Sequence, residues 1–206
     1  MESEDYPIPG IPDQVKAMVF DLDGTVLHTM HHHWQAWEQV SIEYNFELTK
    51  ETLLSMAGTP SEHIMEQLAR EQKITIDTKA AALRKQKIYV SLAHETEVIP
   101  MVVETARLAK KRGLPIAVAT GGTRLQVEKA MKAAMVDDLF DAIVTADEVT
   151  HGKPHPETFL KAAELLGVPP QYCVGFEDAP RGLEAIQNAE FLKGIDVTKL
   201  SGYPSI

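Results

Sequence analysis

A single cysteine, Cys173, leaves this chain of 206 residues without the means for an internal disulfide. Its place in the apolar run 172–174 predicts a buried thiol on a strand rather than a nucleophile. Positive charge is also scarce. Twenty Lys and Arg against 30 Asp and Glu give a net charge of -10, which repels nucleic acid and anionic lipid, and no local basic patch overrides it. No stretch approaches the ~20 apolar residues of a membrane-spanning helix, and there is neither an internal repeat nor a low-complexity tract. These absences predict a cytoplasmic protein, a monomer or weak dimer, with no nucleic acid and no membrane as partner. Residues 1–13 carry Pro7, Pro9 and Pro12 among acidic neighbours and no signal-like apolar run, which predicts a loose leader.

What is present begins with Val19-Phe20-Asp21-Leu22-Asp23-Gly24-Thr25-Val26. The apolar run 17–20 predicts a short buried strand, and it delivers two carboxylates to the point where Gly24 lets the backbone turn. Residues two apart in an extended segment share a face. Helical signals then run almost unbroken to residue 93. Trp34, Trp37, Val40 and Tyr44 recur at helical spacing, Thr49 opens a short helix, Ile64, Met65 and Leu68 share a face, and Asp77 or Thr78 caps a long helix in which Leu83, Ile88 and Leu92 recur. From residue 100 the pattern changes to strands near 115–119, 142–144, 172–175 and 192–197, alternating with helices of about a dozen residues. That alternation predicts an α/β fold: a doubly wound, mostly parallel, Rossmann-like sheet built from 14–29 and 97–206, with 30–96 inserted as an all-helical cap over its carboxyl edge. The run His31-His32-His33 reads as the polar first turn of a helix, with a metal site as the alternative.

Polar clusters fall at the carboxyl ends of four predicted strands. They are Asp21 with Asp23, Thr120 with Gly121 and Gly122, Lys153, and Glu177 with Asp178. Carboxylates converging in one crevice repel unless a cation sits among them, and oxygen donors without thiolate or paired imidazoles point to Mg²⁺. Lys153, the Thr120 hydroxyl and backbone N–H groups beside the glycines are suited to an anion, most simply a phosphate.

VFDLDGTV, AVATGGT, the lysine of HGKPHPETF, and VGFEDAPRG, in this order, resemble the four motifs of the haloacid dehalogenase superfamily. The helical block resembles the cap of its beta-phosphoglucomutase-like branch, where His33 and Trp37 stand at a common histidine and aromatic. The resemblance implies Asp21 as nucleophile forming an aspartyl phosphate, and Asp23 as general acid and base with its backbone carbonyl on the metal. It implies Asp178 as a direct Mg²⁺ ligand, with Glu177 beside it or acting through water. Thr120, Gly121, Gly122 and Lys153 would hold the phosphoryl oxygens, and Thr25 would orient Asp23 or the turn around it. His33, Trp37, Gly58 and Thr59 are the cap's candidates for substrate contact.

The cap loop Met56-Ala57-Gly58-Thr59-Pro60-Ser61 departs from the mutase pattern, which carries a Lys-Gly pair and then an Arg. Between Lys50 and Arg70 the only cation-forming side chain is His63. That departure favours hydrolysis of a small phosphorylated metabolite, a sugar phosphate such as fructose-1-phosphate, over a beta-phosphoglucomutase-type isomerisation. His28, where the family often has Asp, and Gly122, where it often has a small polar residue, are further departures. A catalytically silent module that binds a phosphometabolite is the alternative of another class.

Overall fold

The computed structural model describes residues 5–204. The chain runs β1 (Ala17–Phe20), β2 (Leu27–His28), α1 (Met30–Tyr44), α2 (Lys50–Ser55), α3 (Ser61–Gln72), α4 (Thr78–Leu92) and β3 (Glu97–Val98). It continues with α5 (Pro100–Lys111), β4 (Ile116–Ala119), α6 (Arg124–Ala133), β5 (Ala142–Val144), α7 (Glu157–Leu165), β6 (Cys173–Glu177), α8 (Pro180–Asn188) and β7 (Lys193–Asp196). Five strands form one sheet in the order β5-β4-β1-β6-β7, parallel throughout. Because both faces of such a sheet are covered, its strands are apolar at consecutive positions rather than alternating. β1 and β4 are buried at all four of theirs.

Side-chain alternation along β1 divides the core in two. Met18 and Phe20 enter a cluster with Val102, Val103 and Ala106 of α5 and Val127 and Met131 of α6. Val19 points the other way, into a cluster with Phe159 and Ala162 of α7 and Ala185 and Ile186 of α8. Phe20 stacks on Phe176 of β6 with ring centroids 4.4 Å apart. Gly175 leaves room for Ile186, whose Cδ1 lies 2.6 Å from where a Cβ would be. The helices of the doubly wound fold thus pack where the sequence pattern requires.

Helices α1 to α4 have their own buried cluster, centred on Trp37, Val40, Met65, Leu68 and Tyr89. Thr49 accepts from the Thr52 N–H and Asp77 from the Ala80 N–H, capping α2 and α4; such caps contribute about 1 kcal/mol each. The inner face of α4 differs from the sequence expectation. It is formed by Ala81, Lys85, Ile88 and Tyr89, while Leu83 is 57% exposed, because the face that meets α1 is set by α4's rotation rather than by its most apolar residues. The chain passes into these helices through β2 and out through β3, which pair antiparallel. This two-stranded ribbon was not expected, its strands being two residues each.

The leader corrects a second expectation. Residues 1–4 lie outside the described residues, but Ile8 is 1% exposed and belongs to the same core cluster as α5. Arg112 lies 4.2 Å above the Tyr6 ring, and Lys193 donates to the Gly10 carbonyl at 2.7 Å. Burying the isoleucine side chain is worth about 2 kcal/mol, enough to dock a proline-stiffened segment whose backbone entropy is already reduced. Among the described residues, no helix is long and apolar enough to cross a membrane.

Candidate active site

The N–H of Asp21 donates to the Phe176 carbonyl at 2.9 Å, so the β1–β6 ladder extends to the first carboxylate. The backbone then turns around Leu22, whose carbonyl accepts from Thr25, Val26 and Leu27 at 3.3, 3.0 and 2.9 Å. Gly24 has φ +84°, and a Cβ there would fall 2.2 Å from Asp178 Oδ2. A side chain at that position would separate the loop after β1 from the loop after β6. The Tyr203 hydroxyl donates to the Gly24 carbonyl at 2.8 Å, closing the turn from the C-terminal segment.

Asp21, Lys153 and Glu177 are buried together, at 4%, 2% and 1% exposure. Lys153 Nζ donates to Asp21 Oδ1 at 2.5 Å and to Glu177 Oε1 at 2.7 Å, and Glu177 Oε2 accepts the Ala179 N–H at 2.7 Å. Gly182 on α8 makes room for this arrangement, since a Cβ there would lie 1.7 Å from Glu177 Oε1. Arg181 holds the Lys153 backbone by donating to its carbonyl at 3.0 Å. Burial, augmented by the Glu177 charge and opposed by Lys153, pushes Asp21 up to about 7. Burial, then the charges of Glu177 and Asp21, push Asp178 well above the carboxylate range. Burial disfavours the Lys153 ammonium, but Asp21 and Glu177 outweigh it and raise its pKa.

One ammonium therefore faces three carboxylates. Oxygens of Asp21, Glu177 and Asp178 lie within 4.8 Å of one another, and a donor set of hard oxygens short of positive charge fits a divalent cation. Thr25 is displaced from its expected place. Its hydroxyl lies 3.4 Å from Asp178 Oδ1, oriented to donate there and not to Asp23.

Asp23 belongs to a different set of neighbours. Its Oδ1 accepts from Thr29 at 2.6 Å and from Tyr89 of α4 at 2.8 Å. His33 Nε2 lies 3.1 Å away, off the line of a good hydrogen bond. Burial raises the pKa of Asp23, but the His33 ring and the Thr29 and Tyr89 hydroxyls outweigh it and hold this carboxyl well below the usual range. Behind His33, Lys85 Nζ approaches Nδ1 at 2.6 Å. Lys85 is 2% exposed, and burial lowers it to about 8, so it still carries its proton at pH 7 and donates to Nδ1. Thr29, Lys85 and Tyr89 went unread in the sequence. Tyr89 and Lys85 sit four residues apart, which places both on one helical face, but nothing in the sequence fixes that face toward Asp23.

The remaining expected residues fall around the same cavity, which encloses about 70 Å³, room for about five waters at the ~10–15 Å³ each requires. Thr120 lies at its floor, its hydroxyl accepting from the Gly122 N–H at 3.0 Å. A Cβ on Gly121 would be 2.6 Å from the Gly58 carbonyl, so the helical lid meets the sheet edge backbone to backbone. Thr59 reaches the cavity with a buried hydroxyl that has no hydrogen-bond partner among the described residues. Trp37 borders the cavity but is 1% exposed and serves mainly as the lid's core. The histidine run separates: His33 turns to Asp23, while His31 stacks between His28 and His32 at 4.7 and 3.9 Å. It does not converge on one point, so it corrects the metal alternative.

A parallel sheet with two carboxylates after its central strand, a buried lysine and an acidic pair on its neighbours, all beneath a helical lid, defines an α/β enzyme working through carboxylate chemistry. The chain belongs to the haloacid dehalogenase-like hydrolases, whose family model matches residues 15–190. It is 32% identical over 189 residues to the fructose-1-phosphate phosphatase YqaB of Escherichia coli (strain K12), covering 91% of this chain and 99% of that one. The crystal structure of a hydrolase from Pseudomonas syringae matches with a TM-score of 0.80 at 27% identity, covering 88% and 83% of the two chains. Beta-phosphoglucomutase from Clostridium difficile matches with a TM-score of 0.78 at 26% identity, covering 87% and 83%. Enzymes of this family generally use a divalent metal.

Proposed function

We propose that this phosphoric monoester hydrolase removes the phosphate from a small sugar phosphate, with fructose-1-phosphate the first candidate, through an aspartyl-phosphate intermediate. The observation that carries the reading is the division of labour between two carboxylates two residues apart. Asp21 is buried against Lys153 and the acidic pair, whereas Asp23 is held ionised by groups of the lid. Asp21 Oδ attacks phosphorus and the P–O bond to the sugar breaks; Asp23, which enters the cycle as a carboxylate, takes the proton carried by the phosphate monoanion as substrate binds and passes it to the departing oxygen. Water then attacks the aspartyl phosphate with Asp23 as base, releasing phosphate and restoring Asp21.

Lys153, the Thr120 hydroxyl and the backbone N–H of Gly121 bind the phosphoryl oxygens, where phosphoryl transfer gains most from positioning and charge, while the Gly122 N–H donates to the Thr120 hydroxyl and orients it. Asp21, the Asp23 carbonyl and Asp178 are the residues to hold Mg²⁺, which when bound screens the negative charge of nucleophile and phosphate. Glu177 is engaged on both oxygens by Lys153 and Ala179 and therefore orients the lysine; with the metal bound it would add its negative charge to the residues that hold the cation. Gly58 of the lid meets Gly121 of the sheet edge backbone to backbone over the cavity, so the lid rocks on the β2–β3 ribbon to admit substrate. His33, Thr59 and Gly58 face the sugar side; burial, and Lys85 by donating to Nδ1, disfavour the charged His33 ring and leave its proton on Nε2, the nitrogen nearer Asp23.

Likeness to YqaB supports the sugar phosphate, and the uncharged loop 56–61 supports hydrolysis over isomerisation. The likeness to beta-phosphoglucomutase keeps the mutase as the second reading. Phosphate release is to be measured on a panel of sugar phosphates with Mg²⁺ and with EDTA. Metal-dependent release with a preference for fructose-1-phosphate is expected. Conversion of beta-glucose-1-phosphate to its 6-phosphate without net phosphate release would establish the mutase, and no turnover of any ester by folded protein would establish a silent binding module.

A further inference from the structure

A second group of metal-ligating side chains stands apart from the carboxylate cluster, on the loop between β5 and α7. His151, His155 and Glu157 each present a ligand atom, and the three lie within 4.8 Å of one another. Glu157 Oε2 is 3.0 Å from His151 Nδ1 and 3.8 Å from His155 Nδ1. Tetrahedral Zn²⁺ with bonds of about 2.0–2.1 Å sets its ligands about 3.3 Å apart, so the two separations bracket the required value. The carboxylate is already fixed, because Thr150 and His151 donate their N–H groups to it at 2.8 and 2.9 Å. The imidazole rings lie 4.6 Å apart beside it. Coordination would displace only a proton shared by His151 and Glu157 and a long 3.3 Å contact from the Glu157 N–H to His155 Nδ1.

The place of this group gives it a consequence. His151 and His155 line a groove whose opposite wall is α3 of the lid, with His63 and Glu66 facing the same space. Next to it the lid touches the loop directly: a Cβ on Gly152 would be 3.2 Å from Pro60 Cδ. An ion on the loop therefore sits at the seam between lid and sheet. Three nearby donors leave a tetrahedral ion one position short, and an imidazole across the groove suits it.

We propose that His151, His155 and Glu157 form a binding site for a borderline transition-metal ion of the Zn²⁺ class, and that His63 of the lid completes it when the lid is closed. Imidazole nitrogens select such ions over Mg²⁺, which prefers oxygen and retains its waters. The ion ties lid to sheet and slows opening, so it acts as a brake on turnover; this last step rests on the lid motion proposed above, whereas the binding site does not.

The test is calorimetric titration of the full-length protein with ZnCl₂ in excess Mg²⁺, accompanied by Co²⁺ absorption spectra. One Zn²⁺ per chain at micromolar affinity and a tetrahedral Co²⁺ visible band are expected. His151→Asn with His155→Asn should weaken binding at least tenfold and abolish the band, and His63→Asn should weaken it less. No Zn²⁺ uptake by the unaltered protein, or equal uptake by the double variant, overturns the site. Zn²⁺ should slow turnover of the unaltered protein but not of the double variant or of His63→Asn. Equal inhibition of all three would place the inhibitory ion at the catalytic carboxylates and overturn the brake while leaving the binding result to stand or fall by itself.

Discussion

Replacing Lys85 by Met takes a buried ammonium out of the lid and should stabilise the protein while impairing it as an enzyme. Burial lowers this lysine from 10.5 to about 8, a difference of about 2.5 units, or about 3 kcal/mol of penalty on the charged form at neutral pH. Against this stand the Tyr89 and Trp37 rings, 5.0 and 5.7 Å from Nζ, and one hydrogen bond to His33, together worth about 1–2 kcal/mol. Methionine keeps the length and fills the same space. The expected net gain is therefore about 1–2 kcal/mol in urea denaturation at pH 7. The pH dependence fixes the cause. With the folded pKa below the unfolded one, the penalty is complete below about pH 8 and fades as pH rises from 8 to 10.5, where the folded protein sheds its proton first. The variant's advantage should shrink across that window. Turnover should fall about 10- to 100-fold, the worth of a charge-assisted contact. A variant less stable than the parent at pH 7, or an advantage independent of pH up to 10.5, would refute the argument that burial dominates this residue.

Gly121→Ala should cut turnover more than tenfold with little change in melting temperature, because its Cβ would press within 2.6 Å of the Gly58 carbonyl and hold the lid off the sheet; full activity in a steady-state assay would mean that closure does not need this contact. Gly182→Ala should destabilise by about 1–3 kcal/mol and also reduce turnover, since the added methyl occupies the position of the Glu177 carboxylate that orients Lys153. Asp21→Asn should be folded by circular dichroism and inactive, and residual turnover above a few per cent would move the nucleophile elsewhere. Ile8→Ala should cost about 2–4 kcal/mol in chemical denaturation, whereas a loss under about 0.5 kcal/mol would mean the leader docks only weakly.

The sheet was legible because β1, β4 and β6 are short apolar runs followed by glycine or polar residues, and such runs are stable only as buried strands. Asp21, Glu177 and Asp178 could be placed together for the same reason: a residue at the carboxyl end of a parallel strand has a fixed neighbourhood, whereas Lys153, nine residues beyond β5 (153 − 144), was placed by the motif it resembles. The lid offered no such constraint. Lys85 reads as a solvent residue on a helix rich in Lys and Arg, and only the packing of α4 against α1 turns it inward. Thr29, which nothing in the sequence singled out, anchors Asp23, while Thr25 goes to Asp178. In both cases the course of the chain after Gly24 decides where the hydroxyl points. The leader was misread because prolines and acids dominate its composition, whereas Tyr6, Ile8 and Ile11 determine its energy.

Strand order has a consequence for the history of each molecule. β1 emerges first from the ribosome, yet its partners are distant: Met18 pairs with Ile116 and Val174, 98 and 156 residues later (116 − 18 and 174 − 18). At about 5–20 residues per second, β1 waits roughly 8–30 s for its second partner. During that interval the four lid helices, whose contacts are local, have already been made and have a cluster of their own in which to bury. The segment carrying Asp21 and Asp23 is thus the first part of the catalytic sheet to exist and the strand that waits longest for its partners, and its four apolar residues are the stretch most in need of shelter during synthesis.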